Sequence, residues 1–123
     1  MRVRRGEIYL AKLDPVIGHE QGGIRPVLVL QNERGNKFGP TTIVACITSK
    51  AYKKTSLPTH YYLSDRVNLP YKSIVLLEQI RTIDKERLLC KVGRLTKREM
   101  LSIDKRIVVS LNLERYIKNK LKK

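Results

Sequence analysis

The chain is poor in cysteine, in acidic residues and in unbroken apolar sequence. Cys46 and Cys90 are its only cysteines. With no C-x-x-C pair and no Cys/His cluster, the sequence argues against a structural zinc, and two thiols make no disulfide framework. A reducing compartment fits that usage. No stretch approaches the roughly 20 apolar residues needed to span a bilayer. Glu7 and Lys12 interrupt any signal-peptide core behind Arg2, Arg4 and Arg5. The expectation is a cytoplasmic protein with no membrane partner. The 11 carboxylates are scattered, with no D-x-D and no grouping, which speaks against two-metal hydrolysis. Internal repeats, low-complexity tracts and linkers are also lacking.

What is present is positive charge. Lys and Arg total 26, for a net charge of +15 over 123 residues. Such a surplus attracts polyanions: nucleic acid first, an anionic surface or an acidic protein second. The length predicts one domain over residues 1–123, with 113–123 as a basic tail.

The stretch Ile17 to Asn32, I-G-H-E-Q-G-G-I-R-P-V-L-V-L-Q-N, organises the rest. A loop with Gly18, Gly22 and Gly23 carries Glu20 and Gln21 and feeds through Arg25-Pro26 into Val27 to Leu30. Pro26 biases Arg25 toward an extended conformation and suits the first residue of a strand. A carboxylate, an amide and a guanidinium therefore gather at one loop, with the guanidinium at the edge of a strand.

The periodicity predicts strands over Val3–Leu13, Arg25–Gln31, Thr41–Ser49, Thr59–Leu63, Ser73–Ile83 and Leu88–Leu95. The Arg25–Gln31 run is apolar on both faces in its middle, hence central. By the two-residue period, Gln79 and Arg81 share a face with Val75 and Leu77. Asn32–Pro40 reads as a polar turn, and Asp84 as the N-cap of one helical turn. Thr96-Lys97-Arg98-Glu99 is a capping box. Beyond it Met100, Ile103, Ile107 and Leu111 line one side of a helix, with Asn112 as a left-handed cap. The tail from Leu113 repeats apolar residues at helical spacing among lysines, as a basic amphipathic segment or a frayed terminus. Lys50–Ser56, with Lys50, Lys53 and Lys54 around Tyr52, reads as a solvated loop or as a phosphate-contacting lid with an aromatic for base stacking. Short strands followed by a late helix predict a mainly β protein: a small curled antiparallel sheet or barrel with the helix against one side.

Several ordered blocks resemble one family. E-Q-G-G-x-R-P-V-L-V-x-Q-N (Glu20–Asn32), the opening Gly6-Glu7-Ile8-Tyr9, Thr42–Ser49, Leu57-Pro58-Thr59-His60 and Ser73–Leu88 are similar, in the same order, to the MazF/PemK family of toxin endoribonucleases. The likeness covers roughly residues 4 to 111. It implies an SH3-like barrel of the MazF/PemK (CcdB-like) type, usually a homodimer. It also implies a toxin of a type II toxin–antitoxin system that cuts single-stranded mRNA without a cofactor and is neutralised by a cognate acidic antitoxin.

Metal-free RNA cleavage needs a base for the 2′-OH, stabilisation of the phosphorane-like transition state, and a proton for the departing 5′-oxygen. It leaves a 2′,3′-cyclic phosphate and a 5′-hydroxyl. Arg25 corresponds to the family's catalytic arginine, and its planar fork of donors suits phosphate. Thr48 corresponds to the catalytic threonine, able to donate to a non-bridging oxygen. Glu20 is the preferred base, because an arginine with pKa above about 12 is a poor acceptor. Gln21, Gly22, Gly23, Ser49, Gln79 and Arg81 are expected to hold RNA, the amides and Arg81 by bidentate contacts to bases. His19 precedes Glu20 but the family pattern does not require it; His60 reads as packing or substrate contact. The sequence leaves two alternatives open: a gyrase poison of the same fold, and a non-catalytic RNA-binding domain.

Overall fold

A computed structural model describes residues 2–49, 57–64, 69 and 71–121. The basic segment Lys50–Ser56 lies outside them. Six strands appear in chain order: β1 (Glu7–Lys12), β2 (Ile24–Val29), β3 (Thr41–Thr48), β4 (His60–Tyr62), β5 (Ile74–Asp84) and β6 (Leu88–Arg94). Three α-helices, α1 (Glu33–Phe38), α2 (Lys97–Ser110) and α3 (Glu114–Leu121), lie among the described residues. The strands form one antiparallel sheet in the order β4-β5-β3-β2-β1-β6, which makes β2 central as its two-sided apolar run requires.

This sheet must curl. β5 and β6 are four strand spacings apart in it, about 19 Å at about 4.8 Å each. Yet one 3-10 turn, Lys85–Arg87, joins them, and the four residue steps from Asp84 to Leu88 reach at most about 14 Å. Only a sheet rolled toward a barrel brings those ends together. Accordingly Ile83 and Leu88 pack in one buried cluster with Tyr9, Val27, Val29, Val44 and Cys46. The alternate residues Ile8, Leu28, Ala45, Ile47, Val75 and Leu77 form a second cluster, closed by Met100 and Ile103 of α2.

The capping box at the start of α2 forms in full: the Glu99 backbone N–H donates to Thr96 Oγ1 at 3.1 Å and the Thr96 N–H to Glu99 Oε1 at 2.8 Å. At the other end Asn112 adopts φ 57. The Leu113 N–H reaches back to Val108 O and that of Asn112 to Val109 O, the paired bonds of a left-handed C-cap. Leu111 departs from the predicted stripe: at the cap it is 55 % exposed, while Ile107 still packs on the core.

Three expectations are corrected. Asn32–Pro40 is not a simple turn, because it holds α1. Asn32 caps α1 by accepting from the Gly35 N–H, and buried Asn36 ties it down by donating to Gln31 O and accepting from the Thr42 hydroxyl. The tail is helical over Glu114–Leu121 rather than frayed. In β5, Ala45 pairs with Ile80 but Cys46 pairs with Leu76, so Leu77–Gln79 bulge out of the ladder. The bulge breaks the two-residue period. Ile80 packs with the Val75 and Leu77 cluster, while Arg81 sits opposite Val44 on the other face.

Glu7 is buried at the head of β1. Its carboxylate accepts from the Arg4 backbone N–H at 2.7 Å and the Tyr9 hydroxyl at 3.1 Å, and meets Lys91 Nζ at 2.9 Å. Burial pushes its pKa up, but the bonds from Lys91, Arg4 and Tyr9 together outweigh that, so Glu7 titrates below its ordinary 4.5. Burial and the Glu7 charge push Tyr9 up to about 12. A depressed folded pKa contributes stability above the unfolded value that is lost as pH falls through the folded one. Urea unfolding is therefore expected to show Glu7→Gln less stable than the parent at neutral pH, with the gap closing below 4.5. A gap that does not change with pH contradicts this. Among the described residues, no helix is long and apolar enough to cross a membrane.

Candidate active site

The site lies where β1 ends, β2 begins and β3 ends. Val27 pairs with Cys46 and Val29 with Val44. Carried two residues further, that register sets Arg25 across from Thr48, and directly opposed residues have Cβ atoms about 5 Å apart. Arg25 also pairs with Ala11 and Thr48 with Ile74, so both stand in strands flanked on each side. Thr48 is buried at 2 % exposure and Arg25 is half-buried.

Arg25, Thr48 and Ser49 line one cavity of about 270 Å³ with Leu10, Ile24, Pro26, Ile47, Leu69, Tyr71 and Ser73. Arg25 Nε donates to Gly22 O at 2.8 Å, which anchors the guanidinium at its root. Two of the loop's glycines have a structural reason, one from side-chain crowding and one from its backbone. A Cβ on Gly22 would meet Asp14 Oδ1 at 2.6 Å and Val16 Cγ2 at 2.7 Å, and Gly23 has φ +76. The loop is fastened to β1 by the Leu13 N–H donating to Gly23 O at 2.9 Å.

Glu20 does not line the cavity. Its carboxylate accepts from the Ile17 N–H at 2.6 Å, closing the loop's own turn. Its charge is nonetheless felt at the site. Burial pushes the Cys46 thiol pKa up; Arg81 and then Arg25 pull it down, and Glu20 adds to the rise. Cys46 lies two residues from Thr48 on the same face of β3, so the three charges act on the strand that carries Thr48. Arg81 is braced by its Nη1 donating to Leu13 O at 3.0 Å, and neither it nor Gln79 lines the cavity.

Glu78 and His60 form a separate network. His60 Nε2 lies 3.0 Å from Glu78 Oε2, and the Thr59 hydroxyl donates to Glu78 Oε1 at 2.7 Å. The Leu57 N–H donates to His60 Nδ1 at 3.4 Å, which leaves Nε2 as the ring's donor. This network pins the chain entering β4 to the β5 bulge. His19 is exposed on the loop.

Tyr71 and Ser73 were not legible as site residues. The register pairs Thr48 with Ile74, so the segment entering β5 necessarily flanks the end of β3. Tyr71, 73 % exposed, offers an aromatic face there, and the Ser73 hydroxyl donates to Tyr71 O at 2.9 Å. A larger cavity of about 570 Å³ lies at the far end of β1, beside Arg4, Arg5, Glu7 and Arg94. Arg5 is paired there with Asp104 at 2.5 Å, and Glu7 with Lys91. That cavity holds neither Arg25 nor Thr48.

Residues 4–111 match the model of the PemK-like, MazF-like toxins of type II toxin–antitoxin systems. The chain belongs to this family. A PemK/MazF-like relative, the endoribonuclease EndoA of Bacillus subtilis, is 50 % identical over 114 residues, 92 % of this chain and 97 % of the relative. Among solved structures, MazF of Deinococcus radiodurans superposes with a TM-score of 0.78 at 21 % identity, covering 91 % of this chain and 98 % of its own. A mycobacterial endoribonuclease in complex with its cognate antitoxin gives 0.74 at 22 % identity, covering 90 % and 96 %. At such identities the structural likeness speaks for the PemK/MazF fold alone. Helix α3 lies beyond residue 111, where the family match ends.

Proposed function

We infer that this PemK/MazF-like toxin is an endoribonuclease that cuts single-stranded mRNA. The observation that carries the reading is the meeting of Arg25, Thr48 and Ser49 at one cavity, in a chain half identical to a relative named an endoribonuclease. The gyrase-poison and non-catalytic alternatives are not favoured, since neither calls for that pairing.

In the proposed mechanism the RNA's own 2′-hydroxyl attacks the adjacent phosphorus. Glu20 takes its proton; because Oε1 accepts from the Ile17 N–H outside the cavity, Oε2 is the acceptor and the loop must carry it to the substrate. The Arg25 guanidinium and Thr48 hydroxyl stabilise the charge gathering on the non-bridging oxygens. Arg25 is the group able to deliver a proton to the leaving 5′-oxygen. The products are a 2′,3′-cyclic phosphate and a 5′-hydroxyl. The absence of grouped carboxylates from the sequence supports a route that needs no metal. Gln21, Gly22, Gly23, Ser49, Gln79 and Arg81 are proposed to hold the strand. Cleavage of a long defined RNA is expected to proceed in excess EDTA, with discrete cuts mapped by primer extension and 5′-hydroxyl ends. Intact RNA, or activity abolished by EDTA and restored by a divalent cation, would sink the reading.

The partners carried over with it are a cognate acidic antitoxin and a second copy of the chain, in the cytoplasm. The net charge of +15 supports the first. A native mass of one chain by light scattering would remove the homodimer.

A further inference from the structure

Helix α3 stands outside the residues that match the family model, so the shared core does not account for it. From 114 to 123 the sequence carries Arg115, Lys118, Lys120, Lys122 and Lys123 against Glu114 alone. Arg115 and Lys118 are exposed. Leu113, Tyr116 and Ile117 form an exposed apolar stripe at helical spacing.

The position of α3 gives this charge a direction. The end of α2 is bolted to the β4–β5 hairpin: the Ser110 hydroxyl donates to Leu77 O at 2.7 Å, and Arg106 Nε donates to His60 O at 2.6 Å. Leu77 opens the β5 bulge, whose last residue is Gln79. Two residues past Ser110, the left-handed Asn112 turns the chain into α3. Along β5, Leu77 is three residues from Ile74, the partner of Thr48. That is about 10 Å, the rise of about three stacked nucleotides. A strand leaving the cavity along β5 meets the bulge and then the root of α3.

We propose that α3 is a substrate-binding extension whose basic face holds phosphates of the RNA strand outside the cleavage cavity. This rests on the endoribonuclease reading above. RNA is favoured over lipid because α3 departs beside the substrate's path and because its apolar stripe is only two helical turns long.

The test uses the full-length protein and the double variant R115A/K118A, with circular dichroism and melting to show the fold intact. The probe is a mixed-sequence 20-nucleotide 2′-O-methyl RNA, which lacks the attacking hydroxyl. Each phosphate contact to a single strand adds about 0.7 to the slope of log K against log salt, so the variant's slope is expected to be shallower by about 1.4. At low salt, cleavage of long RNA should fall roughly tenfold, while an oligonucleotide short enough to fill only the cavity is cut as before. Equal slopes overturn the proposal, as does an equal loss on short and long RNA. Equal slopes together with tail-dependent binding to phosphatidylglycerol vesicles would assign the helix to lipid instead. If wild-type protein leaves RNA uncut but shows the tail-dependent slope, the nuclease reading fails while the tail remains an RNA contact.

Discussion

Arg25→Ala is expected to lower kcat/KM for RNA cleavage by roughly 10³-fold, about 4 kcal/mol of transition-state stabilisation. The estimate follows from removing a fixed donor aimed at charge that exists only during reaction. The fold should be untouched: Arg25 is half-buried, and its side-chain hydrogen bond to Gly22 O joins the start of β2 only to the neighbouring loop. Arg25→Lys should recover little, because a single ammonium cannot make two parallel contacts to a phosphate and cannot keep the Nε bond to Gly22. Steady-state kinetics beside thermal melts decide the matter. A variant that melts like the parent and retains more than about a tenth of its activity removes Arg25 from the proposed chemistry.

The second large effect is on stability. Leu28 is fully buried on the central strand, in the cluster that joins the sheet to α2. Leu28→Ala removes its packing and leaves a cavity, which costs about 3 to 4 kcal/mol. A domain of this size has only about 5 to 15 kcal/mol in hand. Urea unfolding should show the midpoint drop by about 2 M, at about 2 kcal/mol per molar. Ile24→Ala, on the same strand but exposed, should stay within about 0.5 kcal/mol. Similar losses at the two positions would contradict the two-sided burial of β2.

Local chemistry made the strands around the site and the ends of α2 legible. Pro26 and the apolar run behind it announced β2, and the Thr96–Glu99 box and Asn112 bounded the helix. Arg25 and Thr48 were marked out by the family resemblance, and although each falls at a predicted strand end, their juxtaposition follows only from the register of β2 on β3. α1 could not be read because its one buried polar anchor, Asn36, finds its partners Gln31 and Thr42 only after the chain has folded back. Six residues also span too few turns to show a periodicity. Glu20 was readable as a carboxylate in the loop, but its bond to the Ile17 N–H depends on how that loop closes. Tyr71 enters the site through strand pairing, which composition does not display.

The bulge at Leu77–Gln79 also sets a phase. Upstream of it, β5 turns Val75 toward α2; downstream, Arg81 and Ile83 face the barrel's other cluster. The strand thus works like a reading frame with a built-in shift. Substitutions within the bulge change one side chain each. Losing or gaining a single residue there would invert the inside and outside of everything as far as Asp84, withdraw the Arg81 brace from Leu13 and disturb the turn that closes the barrel. Length, more than identity, is what this segment has to keep.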